Sequence, residues 1–145
     1  MDFFTSMNVS ASALSAERTR MNLISSNLAN ASTTRTPEGG PYKRKDAVFA
    51  ATPLQSPFTR ALDRASSQGI NQVQVMQIVE DQNAPRMQYD PGNPDANPQG
   101  YVAMPNVNVM EEMADMLSAT RSYEANVTAV QSAKSMALKT LEISK

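Results

Sequence analysis

The sequence predicts a mainly α fold with a small β insert, in which a long helix at each end of the chain pairs antiparallel as a coiled coil around a central loop-rich subdomain. All five glycines and nine prolines fall between Pro37 and Pro105, and these residues punctuate regular structure by permitting or fixing unusual backbone dihedrals. The first 36 residues and the last 40 contain neither type. Both of those flanks carry apolar residues at helical spacing, whereas the middle carries short strand-like runs separated by turns. Three segments follow: an N-terminal helix in 1–36, a β and loop-rich insert in 37–105, and a C-terminal helix in 106–145.

In the first flank a heptad frame runs through Phe3, Met7, Ser10, Leu14, Glu17, Met21, Ile24, Leu28 and Ala31, and seven of these nine are apolar. This predicts one amphipathic helix from about Thr5 to Ala31, roughly 40 Å long at about 1.5 Å per residue. Its other faces are mostly Ser, Asn, Thr and Ala, where a solvated coiled-coil surface would carry many Glu and Lys. Such a face suits close packing against further helices. Asn27 lies inside this helix, and a buried asparagine fixes helix register at a cost in stability. On that reading Asn27→Leu favours the helix and impairs assembly.

The insert opens with a loop from Arg35 to Asp46, which ends in Tyr42, Lys43, Arg44 and Lys45. Three adjacent charges are too few for strong phosphate binding, so the run reads as a solvated loop or a contact with an acidic patch on a neighbouring subunit. Strands are predicted at Ala47–Ala51, Gln72–Val79, Arg86–Tyr89 and Tyr101–Met104. Pro91, Pro94 and Pro98 stiffen the last connection. The polar stretch Pro53–Gln68 has no clear period and receives no element. Asp90 and Asp95 flank Gly92 without the spacing of a calcium loop, and a turn is expected there.

The second flank repeats the pattern through Val109, Met113, Met116, Thr120, Tyr123, Val127, Val130, Lys134, Ala137 and Leu141, widened by Leu117 and Leu138. Asn108 is the expected N-cap, Glu111, Glu112 and Asp115 suit the positive end of the helix dipole, and Lys134, Lys139 and Lys145 suit its negative end. The helix is expected to run to about Ser144. Met110, Met113 and Met116 at helical spacing read as adaptable packing rather than a thioether copper site.

Composition narrows the function. The chain has no histidine and no cysteine, so a Ser-His-Asp triad, imidazole base, thiol nucleophile or zinc-thiolate site is not to be expected. A formal net charge of −1 provides no global field to draw nucleic acid or an anionic membrane. The start, Met1-Asp2-Phe3-Phe4-Thr5-Ser6, lacks the basic and apolar regions of a secretory signal peptide. No stretch approaches the roughly 18 apolar residues of a membrane span. Three glycosylation-like triplets, at Asn8, Asn30 and Asn126, fall in predicted helices and are read as accidental. A non-enzymatic protein that binds other proteins, with no cofactor or metal, is expected.

Ser10-Ala11-Ser12-Ala13-Leu14 followed by Ser26-Asn27-Leu28-Ala29-Asn30-Ala31 resembles the amino-terminal signature of the bacterial flagellar rod and hook axial proteins. The segments Thr34–Asp46 and Tyr89–Ala96, and the run from Gly100-Tyr101-Val102 through Pro105–Asn108 to Tyr123–Val127, resemble its proximal-rod members in particular. Asn93 stands where that pattern has histidine, and Ala13 where glycine is more usual. The resemblance implies a structural subunit of the basal-body rod, made in the cytoplasm and exported by the flagellar type III apparatus without a cleaved signal. It implies copies of itself, other rod proteins, adaptor proteins at the rod base and membrane ring, and that export apparatus as partners, and torque transmission as the task. The assembly residues expected on this basis are Met7, Leu14, Met21, Ile24, Asn27, Leu28, Met113, Met116, Leu117, Tyr123, Val127, Val130, Leu138 and Leu141. The competing reading is a cytoplasmic coiled-coil adaptor or secretion chaperone.

Overall fold

A computed structural model describes residues 3–53 and 71–143. Pro53 of the stretch left without an element closes the first strand, while residues 54–68 of that stretch, the predicted helix end at Ser144 and Lys145 lie outside the described residues. Helix α1 spans Phe3–Ala29, strand β1 Lys45–Pro53, β2 Asn71–Glu80, β3 Arg86–Tyr89, β4 Tyr101–Met104, and helix α2 Val109–Ile143. The mainly helical architecture with a small β part is therefore as expected from the sequence. β3 and β4 have the predicted bounds, while β1 starts at Lys45 and takes in part of the loop predicted to end at Asp46.

Each helix end has a local cause. The Asn108 side-chain oxygen accepts the Met110 N–H at 3.1 Å, so Asn108 satisfies one of the backbone donors that the first turn of α2 leaves unpaired. At the end of α1 the Asn30 amide donates to Ser26 O at 2.9 Å, and its oxygen accepts the Thr33 hydroxyl at 3.2 Å. The chain then turns out of the helix.

Two two-stranded sheets form, β1 with β2 and β3 with β4. In the first, the Asp81 N–H donates to Arg44 O at one end, and the Thr52 hydroxyl donates to Gln72 O at the other, so the strands run antiparallel. The second is antiparallel with Arg86 opposite Met104 and Tyr89 opposite Tyr101. The connection between β3 and β4 is held by side chains that imitate backbone turns. Asp90 accepts from Gly92 N–H at 3.2 Å, Asn93 from Asp95 N–H at 3.0 Å, and Asn97 from Tyr101 N–H at 2.9 Å. Asp90 thus serves a turn, as its spacing predicts.

The chain divides into two compact units. One comprises Met1–Thr19, Val48–Gln77 and Thr120–Lys145. Its buried apolar residues among those described are Ala16 and Ala133, and within it the Val73 N–H donates to the Ser12 hydroxyl at 3.1 Å. The other comprises Arg20–Ala47 and Ile78–Ala119, with Ile24, Val102, Val107 and Ala119 buried. There Arg20 pairs with Asp115 at 3.5 Å and Asn27 meets Glu112 at 3.1 Å. A later residue of α1 faces an earlier residue of α2, so the helices run antiparallel in this unit.

Covered positions on α2 follow Glu112, Met116, Ala119, Tyr123, Asn126, Val130, Ala133 and Ala137. Four of these are in the frame drawn from the sequence. The other four each lie one residue before a frame position, which puts small or polar side chains inside at those levels. Small contact residues let helices approach closely; of the frame neighbours at those levels Met113 is exposed, while Val127 stays half-buried.

Candidate assembly site

Asn27 is the residue around which the second unit is organised. It is 1% exposed, and a primary amide has two donor hydrogens and two acceptor lone pairs. All four are used. The nitrogen donates to Lys45 O at 2.9 Å and to Glu112 Oε2 at 3.1 Å. The oxygen accepts the Lys45 N–H at 2.9 Å and the Tyr42 hydroxyl at 3.0 Å. Lys45 is the first residue of β1, so the amide pairs with that strand's opening residue as a neighbouring strand would. Tyr42 also lies 3.3 Å from the Ser26 hydroxyl.

Glu112 is likewise 1% exposed. Its second oxygen accepts from Arg44 Nε at 2.5 Å, and Arg44 reaches Asp46 at 3.3 Å and Asp115 at 4.0 Å as well. Burial disfavours the Arg44 charge, but the hydrogen bond and charge of Glu112, aided by Asp46, outweigh it and hold the guanidinium above its ordinary value. A buried carboxylate requires such pairing, because an isolated charge away from water is strongly penalised. The result is a latch that ties α1, the 42–45 loop and α2 together.

This geometry changes the expected effect of Asn27→Leu. The amide meets backbone groups and a carboxylate that leucine would leave unpaired, so the substitution costs stability rather than favouring the helix. It also shows where the basic run goes. Tyr42 and Arg44 point into the latch, Lys45 pairs with Glu80 at 3.5 Å, and Lys43 is exposed with no ion pair among the described residues. Asn30 and Asn126 bond locally, the latter donating to Ser122 O at 2.9 Å.

The predicted packing residues fall into two groups. Ile24 and Asn27 are buried, and Met7, Leu14, Met21, Leu28, Met116, Tyr123, Val127 and Val130 are half-buried. Met113, Leu117, Leu138 and Leu141 are exposed, as are Val109, Met110 and Met136. Glu112 and Arg44 had no place in the predicted packing set. Glu112 carried a helix-dipole signal and Arg44 a charge-run signal, and neither signal named a partner. Glu17, a frame position of α1, keeps its Oε2 atom buried without a hydrogen-bond partner among the described residues. No helix among the described residues is long and apolar enough to cross a membrane.

Comparison with known proteins yields a consistent set of relatives. Residues 7–35 match the model of the flagella basal body rod protein family, and residues 99–143 match that of the flagellar basal body rod FlgEFG protein C-terminal region. The chain is 48% identical to the flagellar basal-body rod protein FlgC of Bacillus subtilis, covering 100% of both chains. It is 44% identical to FlgC of Borreliella burgdorferi, over 94% of this chain and 93% of that one. With FlgC of Salmonella typhimurium the identity is 41%, at the same coverage.

Proposed function

We propose, because the chain belongs to the FlgC family of flagellar basal-body rod proteins, a specific route by which it builds that rod. It is a structural subunit of the bacterial flagellar basal-body rod. In our reading it belongs to the proximal rod and polymerises through its two terminal helices, transmitting torque from the membrane ring to the distal rod and hook. Its partners are copies of itself, other rod proteins and adaptor proteins at the rod base. It reaches the rod through the flagellar type III export apparatus, and it performs no catalysis.

The observation that carries this reading is the outward placement of large apolar side chains on α2. Met110, Met113, Leu117, Leu138 and Leu141 are each more than half exposed. Covering the part of each such side chain that is still exposed contributes on the order of 1–2 kcal/mol. The latch of Asn27, Glu112 and Arg44 supports the same reading, because it sets the register of the 20–29 and 109–119 segments whose outer faces would meet neighbours. Segments that are incompletely covered in one chain gain order as subunits add.

Quantitative mass spectrometry of detergent-purified basal bodies tests the assignment. A fixed small stoichiometry to the other rod and ring proteins is expected. Absence from intact basal bodies, with the chain recovered from the cytosol, overturns it in favour of an adaptor or chaperone.

A further inference from the structure

The β3–β4 hairpin leaves one backbone edge open. The Asp90 N–H donates to Gly100 O at 2.9 Å, which makes residues 90 and 100 a hydrogen-bonded pair. Tyr101 turns away from β3: its N–H donates to the Asn97 side-chain oxygen and its C=O accepts the Asn97 N–H, both at 2.9 Å. In an antiparallel ladder such pairs alternate, so the N–H and C=O of Met87 and Tyr89 point away from β4. No third strand pairs there among the described residues, and all four residues of β3 are exposed. Asn97 thus closes the outer edge of β4 at Tyr101, whereas no backbone group among the described residues closes that of β3.

We propose that this edge pairs antiparallel with the same edge of a second copy of this chain, across a two-fold axis at Gln88. Met87 of each copy then exchanges both backbone bonds with Tyr89 of the other, so all four outward groups of each edge are used. The side chains that come to stand opposite also match. Met87 packs on the Tyr89 ring, and Arg86 faces Asp90. Neither Arg86 nor Asp90 makes an ion pair within the chain among the described residues. An axis at Met87 or Tyr89 would instead set Arg86 opposite Gln88 or Gly92, so charge selects the register. Pro85 and Pro91 flank the pairing and end it, because neither has an N–H to donate. An open edge is a template for indiscriminate strand addition, and an isologous contact closes it at two copies. A closed pair does not extend a rod, so this inference goes beyond the rod-subunit reading and concerns the free chain.

The test uses the full chain. Sedimentation at rising concentration should show the parent forming dimers. Arg86→Asp and Asp90→Arg should each lose them, since each sets like charges opposite at both ends of the pairing. An equal mixture of the two variants should regain dimers, because both charge pairs return. Circular dichroism equal to the parent's establishes that the variants are folded. The chain has no cysteine, so Gln88→Cys places two thiols opposite each other on the axis, within disulfide reach. A mild oxidant should link that variant into covalent dimers, and should link Met87→Cys, whose counterpart lies two positions off, on the order of tenfold more slowly. A parent that stays monomeric overturns the pairing and leaves the edge to a strand of a different protein. Arg86→Asp that dimerises as the parent does, a folded mixture that stays monomeric, or equal linking of the two cysteine variants overturns it as well. Basal-body mass spectrometry keeps the two proposals apart: a chain absent from basal bodies that still forms this pair refutes the rod assignment alone, and a chain in the rod that never forms it refutes the pairing alone.

Discussion

The Asn27 amide nitrogen lies 3.1 Å from Glu112 Oε2, joining two side chains 85 positions apart that are each 1% exposed. One carboxylate oxygen is thereby assigned to α1 and the other to Arg44 on the loop. The two helices cannot slide by a turn without breaking both bonds, so the pair acts as a register pin for the segments around it.

Removing the amide should expose this directly. Asn27→Leu leaves the Lys45 N–H and C=O and one Glu112 oxygen without their partner, and each buried unsatisfied polar group costs about 1–3 kcal/mol. Urea denaturation should show a lower midpoint for Asn27→Leu, with Asn27→Asp also destabilised because it sets a second carboxylate against Glu112. An unchanged midpoint for the leucine variant would mean that the amide contributes no net stability.

Arg44 and Glu112 are expected to be strongly non-additive. Arg44→Met leaves the buried Glu112 carboxylate with the Asn27 amide as its remaining partner, a loss of about 3–5 kcal/mol for breaking a buried pair. Glu112→Leu added to Arg44→Met removes the stranded charge and should recover a substantial part of that loss. A double-mutant cycle in denaturant measures the coupling. Strict additivity would show that the two side chains act independently.

Much of the fold was legible because local patterns report local faces. The empty glycine and proline counts in both flanks located α1 and α2, Asn108 marked where α2 begins, and alternation located all four strands to within two residues. The latch was not legible in the same way. Asn27 stood out as an amide within a helix, but nothing near it in sequence names Lys45 or Glu112, which meet it only through tertiary pairing. The heptad frame on α2 followed the apolar residues, while the buried positions Glu112, Ala119 and Ala133 each lie one residue before a frame position. Met113 and Leu117 therefore lie outside the covered seam although their periodicity placed them in it.

Stability at low pH should depend on Asp81. Its carboxylate accepts the Asn83 N–H at 2.9 Å and the Asn106 amide at 3.2 Å. The hydrogen bonds from Asn83, then that from Asn106 and the charge of Arg44, hold its pKa below the ordinary carboxylate value. A group depressed on folding contributes stability that is full above its unfolded pKa and is lost as pH falls through the folded one. The parent should therefore lose stability on acidification in a window below the usual aspartate range, and Asp81→Asn should flatten that part of the profile. Thermal melts of both chains across acid pH compare them, and superimposable profiles would remove Asp81 from the account.

Gly100 holds the β3–β4 connection in a conformation that other residues resist. Its φ is +83°, and a Cβ there would stand 2.8 Å from Tyr89 Cε2. Tyr89 in turn meets Tyr101 edge-on, with ring centroids 5.3 Å apart. Gly100→Ala should lower the melting temperature, at a cost of about 1–3 kcal/mol for the strained backbone and crowding together. Tyr89→Ala in the same chain relieves the crowding but not the backbone, so only part of the loss should return. Full recovery would assign the whole effect to the ring.

The distribution of buried groups predicts that the free chain exchanges its amide hydrogens unevenly. Exchange protection rises with buried apolar contact and falls where a segment opens locally. Residues 20–29 and 109–119 carry buried Ile24, Asn27, Glu112 and Ala119, whereas the described part of α2 from Thr120 onward has Ala133 as its one buried residue. Amides of the first two segments should exchange more slowly in the dilute chain than those of 120–143. On the proposed packing, in which neighbours cover Leu138 and Leu141 in the assembled rod, that difference should shrink. Equal protection in the dilute chain would show that the terminal turns of α2 need no neighbour to stay ordered, and would remove the coupling of folding to assembly from the proposed route.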